Sequence, residues 1–91
     1  MAIFNRMTMA EKVERGEIVA SILSIADDNA EVISLLFRIV EEHNLGSQHM
    51  DAIAHQLIEK RITGTVIYEL WNRTCKGDSS KLLTLILRGD L

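Results

Sequence analysis

The sequence predicts an all-α fold, a compact bundle of about five short helices that associates as an oligomer. Three observations carry this. Apolar residues recur at i, i+3, i+4 and i+7 through five successive segments, the period of a helix with a face in a core. The punctuation between them is helix-capping residues and isolated glycines, with no proline in the 91 residues. The one segment that also reads as a strand, Leu82 to Leu87, has no second strand to pair with.

Each element follows from local chemistry. Thr8-Met9-Ala10-Glu11 is a capping box, so the first helix starts there and runs to about Ala26. Its second half, Ile18 to Ala26, is apolar almost all round, which predicts a central helix enclosed by others. Gly16 inside it costs roughly 1 kcal/mol against alanine, and close packing of a neighbouring helix is the expected compensation. Asp27-Asp28-Asn29 breaks the pattern. Asp28 with Glu31 then opens a second helix over about 29–43, with carboxylates on its positive pole. Val32, Ile33, Leu35, Leu36, Phe37, Ile39 and Val40 cover more than half of that helix, so it should touch several neighbours.

Leu45-Gly46-Ser47 supplies a glycine stop and a serine cap, and Met50, Ile53, Ala54, Leu57 and Ile58 mark a third helix over 48–61. Thr63-Gly64-Thr65 starts a fourth, with Val66, Ile67, Leu70, Trp71 and Thr74 on one side, ending at Lys76-Gly77. Asp78-Ser79-Ser80 caps a fifth over 80–88. Being apolar on nearly every side, this last helix belongs either at a subunit interface or in the centre as a closing helix. The first two helices are expected to form the core.

Size and composition bound the rest. The chain reads as a single helical domain over 1–91, with 1–7 a flexible lead-in. An apolar fraction of 47% is high for a small domain, whose surface is large relative to its volume, so some apolar surface should need a partner. Apolar runs such as Leu35-Leu36-Phe37 and Leu85-Ile86-Leu87 fall far short of the ~20 residues of a membrane span. Met1 to Arg6 lacks the apolar stretch of a secretory signal, and a cytoplasmic protein is expected. The lone cysteine, Cys75, reads as packing material.

No residue pattern points to catalysis. The serines and threonines sit mainly where helix ends need caps. Asp27-Asp28 and Glu41-Glu42 lie at opposite ends of one helix, without an apolar pocket to raise a carboxyl pKa. The five glycines are isolated, so no phosphate loop forms. His43, His49 and His55 recur at six-residue steps, and Asp51, His55 and Glu59 form an i, i+4, i+8 row. Without His-Glu-x-x-His or paired cysteines, that row reads as a solvated face. No cofactor or metal is expected.

Two readings of function remain. The leading one is a small non-enzymatic interaction protein, an adaptor, antagonist or inhibitor, working as a homo-oligomer through apolar helix faces. Leu82, Leu85, Ile86, Trp71 and Phe37 are its interface residues. Its acidic surface, net charge −3, would favour a second protein with a basic face. The alternative is a helix-turn-helix DNA-binding regulator built from 29–43 and 48–61. Gln48 and His49 would reach base edges, Lys60 and Arg61 would contact phosphate, and Val40, Leu45, Met50 and Ile53 would pack the two helices together. A second alignment of that motif, across Ile62-Thr63-Gly64, puts Glu69 and Trp71 on the reading helix. Net negative charge counts against both.

Overall fold

A computed structural model describes residues 8–89. The reading of 1–7 as a flexible lead-in falls outside them. The described chain is helical, with no strand among the described residues. Its elements are α1 (Met9–Ala26), α2 (Ala30–His43), α3 (Ser47–Glu59), α4 (Gly64–Glu69), a π-helical turn (Leu70–Thr74) and α5 (Ser79–Arg88).

Capping decides where each helix begins. The Thr8 hydroxyl accepts from the Glu11 amide at 3.1 Å while Glu11 Oε1 accepts from the Thr8 amide, so the capping box at the start of α1 is formed. Thr63 and Asp78 cap α4 and α5. The start of α2 corrects the expectation. Asn29, not Asp28, is the cap, and its Oδ1 accepts from both Glu31 and Val32. Asp27 and Asp28 instead take left-handed φ values of 50° and 64° in the turn, a conformation that short polar side chains tolerate. The start of α3 is also shifted: Ser47 is already helical and Gly46 precedes it, with His49 Nδ1 accepting from the Gly46 amide at 3.1 Å. That helix ends at Glu59, two residues before the expected Arg61, which itself turns left-handed at φ 56°.

The fourth helix is not continuous. After Glu69 its backbone widens into the π turn, and the Cys75 amide reaches back to the Leu70 carbonyl at 2.9 Å. The widening ends with the Cys75 side chain 2% exposed, among the core residues.

The core draws on every α-helix. Ile22, Ile25 and Ala26 come from α1, and Val32, Leu35, Leu36 and Ile39 from α2. Met50, Ile53, Ala54 and Leu57 come from α3, Ile67 from α4, and Leu82, Leu83 and Ile86 from α5. As expected, α2 has several neighbours, packing against α1, α4 and α5. The expectation that α1 is a central, enclosed helix is overturned: its buried residues are only Ile22, Ile25 and Ala26, and Leu23 is 51% exposed. A sequence wheel counts apolar residues on both sides of a helix, but only one side here faces the bundle.

The expected close approach at Gly16 is overturned too. A methyl group built there meets nothing within 4 Å. Gly64 is the crowded glycine, where a Cβ would overlap the carbonyl oxygen of Ala26 at the end of α1. The α4 start and the α1 end therefore touch backbone to backbone. Gly16→Ala should raise unfolding free energy by about 0.5–1 kcal/mol through helix propensity. Gly64→Ala should lower it by about 1–3 kcal/mol through overpacking. Urea unfolding at low protein concentration checks both, and a stabilising Gly64→Ala would contradict the contact.

Candidate functional site

The most distinctive surface lies on the outer side of α1. At about 100° per residue, Met9, Val13, Gly16, Ala20 and Leu23 fall within roughly 80° of arc, opposite Ile22 and Ile25. Met9 is 75% exposed, Val13 54% and Leu23 51%; Gly16 and Ala20 are also exposed. Their spacing of four, three, four and three residues is the seam pattern of a helix that packs against another helix. Among the described residues none covers Met9, Val13 or Leu23, each more than half exposed.

Ala20 also borders a shallow groove of about 960 Å³ between α1 and α3. Ser24, Ala52, His55 and Ile58 line it as well. Ile58 is 62% exposed, so uncovered apolar surface continues from the α1 stripe across small residues onto α3.

The interface residues expected from sequence do not form one patch. Leu82 and Ile86 are 0% and 1% exposed and belong to the core, so α5 is the closing helix of the bundle. Leu85, partly buried, borders a groove of about 350 Å³ that also touches Cys75, Lys81 and Thr84. Phe37 is partly buried between α2 and α1, beside Ile18 and Val40. Trp71 lies elsewhere, on the π turn, in a groove of about 300 Å³ shared with Glu31, Ser34, Arg38 and Tyr68. Its ring tilts at 53° to that of Tyr68, with centroids 6.0 Å apart, and its indole Nε1 is buried with no hydrogen-bond partner among the described residues.

Two of the four residues of the helix-turn-helix alternative, His49 and Lys60, are engaged in holding the fold. His49 caps α3 through Gly46, and Lys60 Nζ donates to the Gly89 carbonyl at 2.7 Å, tying the end of α3 to the end of α5. Gln48 and Arg61 are exposed. Val40 and Leu45 are partly buried against the core that contains Met50 and Ile53, yet α2 and α3 do not pack on each other as the two helices of that motif do. Nor do α3 and α4, the helices of the second alignment. The Glu14 carboxylate from α1 accepts from the Ser47 amide at 3.0 Å, placing negative charge at the α3 end that would have to approach DNA. The sequence shows Glu14 only as one acid among several on α1; no local pattern marks it as the cap of a helix 33 residues away.

Among the described residues no three histidine, cysteine, aspartate or glutamate side chains gather as a metal site. His55 Nε2 lies 3.9 Å from Glu59 Oε2 with both side chains in solvent, so this part of the acidic row is a wet helix face. Ser80 Oγ is 3.3 Å from His43 Nε2, and the nearby Ser80 and Lys81 amides, which could otherwise serve an oxyanion, donate to the Asp78 carboxylate. Burial first, and the Asp78 carboxylate second, push the Cys75 thiol above its ordinary pKa, with Lys81 opposing. No helix of the described chain is long and apolar enough to cross a membrane.

Comparison with protein-family models, with curated proteins and with solved structures finds no match to this chain.

Two measurements follow from these sites. Glu31, through a hydrogen bond first and its charge second, holds the Tyr68 phenol above its ordinary value of 10.0. A raised folded-state pKa gives stability that is present below the unfolded value and is lost as pH climbs through the folded one. Tyr68 is the only tyrosine, so phenolate absorbance reads it alone. Glu31→Gln should move that midpoint down, and an unmoved midpoint would refute the contact. The Cys75 thiol, buried and kept protonated, should react with an aromatic disulfide reagent at least about a hundredfold faster in denaturant than in the native protein. Equal rates would mean that the thiol is open to solvent.

Proposed function

We propose that the protein is a small cytoplasmic, non-enzymatic interaction module, a regulator of adaptor, antagonist or inhibitor type that works as a homo-oligomer through an apolar helix face. The observation that carries this reading is the α1 stripe. Five residues at seam spacing point away from the core, and large side chains at three of them are more than half exposed. Leaving Met9, Val13 and Leu23 in water forgoes the burial of their apolar area, at about 25 cal/mol per Å². Covering them by a second helix recovers it. The composition agrees, since a chain that is 47% apolar with a core drawn from one side of α1 has apolar surface left over. The face used is a different one from that expected on α5, whose apolar residues Leu82, Leu83 and Ile86 are taken up inside the bundle. The outer surface is net acidic, which favours a further partner with a basic face.

Sedimentation equilibrium across a wide concentration range tests the reading. The expected result is reversible association, with Leu23→Glu shifting the protein to monomer while its helical circular dichroism is unchanged. A monomer at every concentration would overturn the proposal.

A further inference from the structure

We propose that the occupant of the α1 stripe is the same stripe of a second copy, the two α1 helices running parallel and in register about a two-fold axis. This rests on the reading above and adds orientation, register and the residues that select them.

If Val13 and Ala20 are the a positions, then Met9, Gly16 and Leu23 are the d positions, and every one of these five residues is exposed. The flanking positions follow without further choice: Lys12 is at g, and Glu17 is at the next e. In a parallel pair the g residue of one helix meets the e residue five positions further on in its partner. Lys12 of one copy therefore meets Glu17 of the other, and symmetry makes the contact twice.

In an antiparallel pair crossing at Gly16, the midpoint of the stripe, the e positions of the two helices flank each other. The two Glu17 carboxylates would then meet near the crossing and repel. The charges thus choose the parallel arrangement. Neither Lys12 nor Glu17 makes an ion pair or a side-chain hydrogen bond within the chain among the described residues, so both are available to do so.

Two further observations fit. Gly16 carries a helix-propensity cost that no contact inside the bundle offsets, and nothing lies within 4 Å of where its side chain would be. With Ala20 one turn on, it leaves the middle of the seam flat enough for two backbones to come close. Ile18, Ile22 and Ile25 lie on the opposite side of α1 and join the bundle core, while Ala20, within the seam, borders the open groove beside α3. From Met9 to Leu23 the seam is about 21 Å long at 1.5 Å per residue, two heptads. Its association is accordingly reversible, not obligate.

The test is a charge swap read by sedimentation equilibrium, with circular dichroism as the check on folding. Lys12→Glu and Glu17→Lys should each weaken the dimer by roughly five- to tenfold, since two attractive pairs become two repulsive ones. The double variant, which restores opposite charges across the parallel seam, should return to within about twofold of the natural protein. A double variant no tighter than the singles, or singles that associate normally, would overturn the parallel register and leave association through the stripe intact. A protein that never associates would overturn both.

Discussion

The architecture turns on the meeting of Ala26 and Gly64, where the last residue of α1 and the first of α4 come together with no room for a methyl group between them. Ala26 is fully buried, and Gly64 is buried beside it. The contact brings two helix ends, far apart in sequence, to one point. From there α4 runs alongside α2 and delivers Ile67, and the π turn after it delivers Cys75, to a core that already holds Ile22, Val32 and Leu57. Leu82 and Ile86 of α5 fill what remains. A larger residue at 64 would push these layers apart, and in an interior packed as densely as a crystal that displacement spreads.

Polar contacts between residues distant in the chain fasten the same arrangement from outside. Glu14 of α1 closes the N-terminus of α3, and Lys60 at the end of α3 closes the C-terminus of α5. Each satisfies backbone groups that a helix end leaves open, and each places the favourable charge at its pole, a carboxylate on the amide end and an ammonium on the carbonyl end. Both work by exposed charge, so each contributes modestly beside the core. They fix where helices stop and which neighbours those ends face.

With the bundle closed in this way, α1 is left with two unlike relationships. One side is sealed to α2, α3 and α4; the other carries an apolar stripe in open solvent. A helix that is apolar on both sides satisfies a single bundle with only one of them. The second side is the reason to look for function in association, and the charges beside it give that association a direction.

The order of residues alone specifies the all-helical class, the five segments, and the caps at Thr8, Thr63 and Asp78, because these depend on periodicity and on hydrogen bonds spanning three residues or fewer. It also marked Cys75 as packing material and left the last helix open between core and interface. The packing of the whole chain settles that choice: it buries one face of α5, with Leu82, Leu83 and Ile86 in the core and Leu87 left exposed, and it leaves α1 at the edge of the bundle with a bare outer face. It also decided that the crowded glycine is Gly64 rather than Gly16, and that Glu14 caps α3. Each of these is a relation between residues distant in the chain: a helical wheel shows which residues share a face, while which face another helix covers depends on how all the helices pack at once.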